Sequence, residues 1–164
     1  LNASIKDELK MSRLESPEQE GFLNVWRTHE LLLSHMEELY KEFGISVVQY
    51  NALRILRGVG NDGLSCQGIS ERLVSRVPDI TRLLDRLEAK GLISRARDLK
   101  GDRRVVTARI KAKGLKLLDK LDGPVLESHR KQFGHLAGGE LRELNRLLTK
   151  VRRPGGRGRK DSPK

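Results

Sequence analysis

Aromatic residues and cysteine are scarce in these 164 residues: three Phe, two Tyr, one Trp and one Cys. A single cysteine, Cys66, allows no intrachain disulfide. That excludes the disulfide-framework domains of oxidising compartments and makes the cytoplasm the expected location. No apolar run approaches the roughly 20 residues that cross a bilayer, so no membrane span is expected. The four histidines, His29, His35, His129 and His135, lack i, i+3 or i, i+4 spacing, and no cysteine cluster accompanies them. A metal site is therefore not expected. Nor is there a Gly-rich phosphate loop or a nucleophile–base signature. The reading is of a chain with no catalytic residues and no cofactor, not an enzyme.

Positive charge is what the sequence has in excess. The net charge is +11, with a pI of about 10.2. The tail 152–164 sets six basic residues against Asp161, a net +5. The stretch 95–104 sets Arg95, Arg97, Lys100, Arg103 and Arg104 against Asp98 and Asp102, a net +3. Clusters of this kind suit a polyanion, whose released counterions drive binding, and the charge alone would fit an anionic membrane surface equally well. The Gly, Pro and Arg-rich tail is expected to be disordered.

Periodicity places the rest. In 18–43, Phe22, Val25, His29, Leu32, Met36, Leu39 and Phe43 step by three and four, with Trp26, Leu33 and Tyr40 on a second line. This predicts a long helix with more apolar surface than one partner helix covers, stopped at Gly44. Ser46 is placed to cap a second helix over 47–59 with Val48, Ala52, Ile55 and Leu56 inward. After the GNDG turn at 60–63, Ser65 is placed to cap a short helix carrying Cys66, Ile69 and Leu73 on one face. A further helix runs to Lys90 before Gly91, with Ile80, Leu83, Leu84 and Leu87 inward. Pro78, read as a first-turn residue, sets its start near Ser75 or Arg76. Period-two alternation predicts a hairpin over 92–110. Helices follow over 111–133, kinked or broken at Gly123–Pro124, and over 139–151.

A short helix, a tight turn, a second helix with a polar outer face and then a hairpin is the order of a winged helix-turn-helix. The fold class is mainly α (α+β), with a two-stranded β wing and long terminal helices. At this point the chain resembles the MarR family of transcription regulators. The likeness rests on ISVVQYNALRIL (45–56), LSCQGISERL (64–73), VPDITRLLDRLEAKGLISR (77–95), DLKGDRR (98–104) and VVTARIKAKG (105–114). It departs in the wing, where Leu99, Lys100 and Gly101 separate Asp98 from Asp102 although the family commonly has two residues there. A wing tip one residue longer, turned at Gly101, is expected.

The resemblance implies three regions: a DNA-binding domain over 45–110, dimerisation helices over 18–43 and 111–151, and the basic tail. It implies a homodimer that reads a pseudo-palindromic site in double-stranded DNA, more in keeping with a repressor. On the second helix of the motif, Arg76 and Arg82 are expected on bases or phosphates, with Arg86 on the same exposed face. Thr81 and Ser65 are expected on phosphates, and Asp79 either on a cytosine or as a helix cap. In the wing, Arg103 is expected in the minor groove and Lys100 on phosphate, braced by Asp98, Asp102 and Arg104. A small aromatic or phenolic effector is expected between dimer region and reading head, with Trp26, His29, Leu33 and Tyr50 as candidate pocket residues. Cys66 reads either as a redox sensor or as a small buried hydrophobe. An alternative to a sequence-specific regulator is an architectural or protein-interaction module on the same fold.

Overall fold

The computed structural model describes residues 4–97 and 106–153. In chain order these form α1 (Ile5–Glu8), α2 (Pro17–Glu42), α3 (Val47–Val59), a 3₁₀ turn (Gly60–Asp62), β1 (Leu64–Ser65), α4 (Cys66–Arg72), α5 (Ile80–Ala89), β2 (Ile93–Arg97), β3 (Val106–Ile110), α6 (Ala112–Phe133) and α7 (Gly138–Arg152). The helix starts are set locally. The Ser16, Ser46 and Ser65 hydroxyls each accept the amide of the residue three further on, and Gln49 returns the bond to Ser46 as a capping box. At the end of α5, Gly91 has φ 70°, a conformation that glycine adopts without strain. There the amide of Leu92 donates to the carbonyl of Leu87 and that of Gly91 to Glu88, closing the helix and driving Leu92 into the core.

The sheet has a third strand. β1 pairs antiparallel with β3 through Leu64↔Ala108 and Ser65↔Thr107, and β2 pairs on the other side, giving the order β1-β3-β2. The hairpin expected over 92–110 is therefore extended by two residues from ahead of α4. Gly114 lets α6 dock beside it: a Cβ here would collide with the carbonyl oxygen of Leu92 and with Ile110.

By contact the chain divides into two compact units between Leu126 and Glu127. The first holds a closed core in which Leu53, Leu56, Ile69, Leu84, Leu87, Leu118 and Leu121 are inaccessible to solvent. Each such leucine contributes about 1.5–3 kcal/mol of burial. On α3 the buried set is Gln49, Ala52, Leu53 and Leu56; Val48 and Ile55 are only half-buried, so the inward face is rotated from the predicted one. Arg57 and Arg54 of α3 reach Asp122 of α6, Arg57 with two bonds of 2.8 and 2.9 Å and Arg54 with one of 3.1 Å. These bonds hold the Asp122 carboxyl below its ordinary range, with the hydrogen bonds from Arg57 as the largest cause.

The second unit comprises the last turns of α6 together with α7. Leu141, Leu144 and Leu148 are half-buried there, and no residue of α7 is fully buried. α6 runs unbroken through Pro124, where a kink or break was predicted. The proline removes one backbone donor, yet the turns on either side retain theirs. The exposed stripes are on α2, where Phe22 and Trp26 stand edge to face with ring centres 5.7 Å apart and more than half their surface in solvent.

Candidate nucleic-acid interface

Helix α5 begins at Ile80, not near Ser75 or Arg76. The reason is the pair Pro78-Asp79. Proline disfavours helical backbone at Val77 before it. Asp79 is extended (φ −140°, ψ 95°), and its Oδ1 accepts the amide of Arg82 at 2.9 Å. Pro78 therefore lies ahead of the cap, and Asp79 serves as the cap. Arg76 consequently lies off the helix, exposed in the segment that joins α4 to α5. That segment is pinned where the Val74 amide donates to Asn51 Oδ1 of α3 at 2.9 Å.

On α5 itself Leu84 and Leu87 are buried, Ile80 and Leu83 are half-buried, and Thr81, Arg82, Asp85 and Arg86 face solvent. Arg82 and Arg86 stand one turn apart, about 6 Å along the axis. The exposed basic side chains Arg76, Arg82 and Arg86 have no hydrogen-bond or ionic partner among the described residues. The acids of the same helix are answered from elsewhere. Arg95, on β2, donates to Asp85 at 2.5 Å and to Glu88 at 2.7 and 2.9 Å, and its own amide donates to Glu88. Its side chain is only 20% exposed. The Glu88 carboxyl is held below its ordinary range, chiefly by the hydrogen bond from Arg95. Arg95 thus has a double effect: it fastens the wing strand to α5, and it neutralises the two carboxylates that would otherwise repel a polyanion beside Arg82.

Sequence reasoning counted Arg95 with the basic wing cluster and missed this brace. The available signal was two acids three residues apart on a helix, followed across a glycine turn by an arginine in the middle of a strand. Ser65 is the cap of α4, where its Oγ accepts the Gly68 amide at 3.1 Å. Its hydroxyl proton finds no acceptor among the described residues. The wing residues Asp98, Lys100, Asp102, Arg103 and Arg104 lie outside the described residues, as does the tail from 154. The last described pair of the hairpin ladder is Arg97↔Val106.

The site is thus a capped helix with unpaired arginines outward, set beside a three-stranded sheet and preceded by a short capped helix. The MarR family model matches residues 45–106. A MarR transcription factor from Planctomyces limnophilus of known structure is 44% identical, with a TM-score of 0.65, over 84% of this chain and 98% of that one. The chain belongs to the MarR family. MepR of S. aureus, solved in complex with DNA, is 25% identical with a TM-score of 0.72, over 82% of this chain and 97% of that one. The HTH-type transcriptional repressor IacR of Pseudomonas putida is 28% identical over 135 residues, 81% of this chain and 79% of that protein.

In this MarR-family chain the four candidate effector-pocket residues do not converge. Tyr50 stacks on Tyr40 with ring centres 4.4 Å apart. Tyr40 is fourteen residues from Trp26 on α2, about 21 Å of helical rise. Trp26 instead lines a hollow with Leu9, Leu23, Arg27 and Glu30. His29 is exposed and Leu33 half-buried. Cys66 is half-buried and packs against the core beside Ile69. No cluster of metal-ligating side chains occurs among the described residues, and no described helix is long and apolar enough to cross a membrane.

Proposed function

We propose that this MarR-family regulator is a transcriptional repressor that binds a pseudo-palindromic operator as a homodimer and is released by a small aromatic or phenolic effector. The observation that carries the reading is the unpaired Arg82 and Arg86 on an α5 face whose own carboxylates Asp85 and Glu88 are neutralised by Arg95. A major groove admits one such helix, and its arginines there meet guanine edges or phosphates. A second copy supplies the other half-site one turn of duplex away, roughly 34 Å. The solvent-facing Phe22 and Trp26 of α2 are the surface that a second copy would cover. The protein works without a metal or organic cofactor, without catalysis of its own, and in the cytoplasm, where the operator is accessible.

Selection of binding fragments from genomic DNA, followed by footprinting, tests this. One palindromic consensus is expected, protected over two adjacent major grooves. Arg82→Ala is expected to lose about 1–3 kcal/mol of operator affinity. Uniform binding to every fragment, abolished by moderate salt, would overturn sequence-specific regulation and favour an architectural role.

A further inference from the structure

Arg76 stands on a stretch without regular structure, between Leu73 at the end of α4 and Asp79 at the cap of α5. The Leu73 amide still donates to the Ile69 carbonyl, and the Asp79 carbonyl already accepts the Leu83 amide. Between them, residues 74–78 make no backbone–backbone hydrogen bond among the described residues. Packing holds this stretch weakly as well. Val74 is 89% exposed, Ser75, Arg76 and Pro78 face solvent, and Val77 is half-buried. What fastens it is a side chain from another helix: Asn51 of α3, whose Oδ1 accepts the Val74 amide at 2.9 Å. We propose that Asn51 is a positioning residue for DNA binding, fixing this stretch so that Arg76 meets the same duplex as Arg82. Asn51 does not touch the duplex itself, and its role rests on the operator reading.

The anchor is firm. Ala52 and Leu53, the next residues on α3, are inaccessible to solvent, so Asn51 is carried by a helix locked into the core. A binding group supported from such a base keeps its geometry before its target arrives. An untethered arginine on the same stretch would have to be ordered on contact, and that ordering subtracts from affinity. The chemistry of the tether matters too. Asn51 accepts the amide through a neutral oxygen. A carboxylate would accept it equally, but would set a negative charge against Val74, two residues from Arg76, where a polyanion must approach. The bond also runs to the backbone of Val74, so it holds the course of the chain and leaves the side chains of the stretch free.

The test is a double-variant cycle, titrating the full chain into a duplex that carries the selected consensus. Arg76→Ala should weaken binding about tenfold. Asn51→Leu, similar in size but without an acceptor, should weaken it by about the same factor. Combined, the two should weaken it little more than either alone, because both remove one contact; independent losses would multiply to about a hundredfold. Asn51→Leu and Arg82→Ala should multiply in that way, since α5 keeps its own cap. Hydrogen exchange reads the tether without DNA. The Val74 amide should exchange about tenfold more slowly in the parent chain, and in Asn51→Asp, than in Asn51→Leu, with the Leu56 amide unchanged throughout. Unchanged binding by Asn51→Leu, multiplied losses with Arg76→Ala, or a Val74 amide as fast in the parent chain as in Asn51→Leu would overturn the proposal. So would faster exchange at Leu56 in Asn51→Leu, which would make Asn51 a residue of the fold alone. Indifference to Arg82→Ala would refute the operator reading itself; a loss there beside indifference at Asn51 removes only the positioning role.

Discussion

The reading head and the helical ends have similar apolar residues but treat them in opposite ways. In the head, Leu53 and Leu56 of α3, Ile69 of α4, Leu84 and Leu87 of α5, and Leu118 and Leu121 of α6 seal one another from water completely. In the N-terminal half of α2, Phe22 is 62% and Trp26 55% exposed, and on α7 Val151 is 69% exposed. An amphipathic helix is stabilised by the surface it meets more than by its own propensity. Four helices and a sheet provide that surface for one another within the head. A second copy is what would provide it at the ends.

The largest expected effect tests that contrast directly. Leu56→Ala should destabilise the fold by about 2–5 kcal/mol in urea unfolding, because it opens a cavity in a closed core. Leu147→Ala on α7 should stay within about 0.5 kcal/mol for the isolated chain; equal losses would erase the distinction between the regions. Next, Phe22→Ala/Trp26→Ala should shift sedimentation from dimer to monomer with little change in the unfolding of the head. A dimer that survives this change would place the subunit contact elsewhere.

A smaller effect concerns the brace. Arg95→Met keeps the length of the side chain but leaves Asp85 and Glu88 uncompensated, and operator affinity should fall by roughly tenfold, about 1.4 kcal/mol. Adding Asp85→Asn and Glu88→Gln should restore most of it; no recovery would mean that Arg95 acts through strand position alone. The smallest effect is on pH. The Asp122 carboxyl, lowered by Arg57, binds a proton less readily when folded than when unfolded. Its contribution to stability is therefore present above the ordinary carboxylate pKa and lost as pH falls through the lower folded value. Asp122→Asn should flatten that acid-side loss in thermal melts, and by little, since the carboxylate is partly exposed and screened.

What was legible in the sequence follows the range of the interaction involved. Serine caps, glycine stops and leucine periods act over three or four residues, and each long helix was found within a turn of its predicted span. Reading the start of α5 failed on a local ambiguity: a proline can open a helix or stand ahead of its cap, and Asp79 settled it by taking the Arg82 amide. β1 could not be read, because two residues carry no period and their pairing partners are more than forty residues away. The face of α3 was misjudged for a similar reason. Leu53 is inward because α3 packs against several elements at once, and a stripe read on one helix does not say which of its flanks will be covered.

By itself the chain determined where helices start and stop, that a winged reading head is present, and which outward residues carry positive charge, because all three depend on near neighbours and composition. Tertiary structure alone decided that Arg95 serves the helix beside it, that Arg76 stands off the reading helix, and that Asn51 fastens the stretch carrying Arg76. Those outcomes arise from side chains brought within hydrogen-bond or van der Waals reach by packing, and no spacing along the chain encodes that reach.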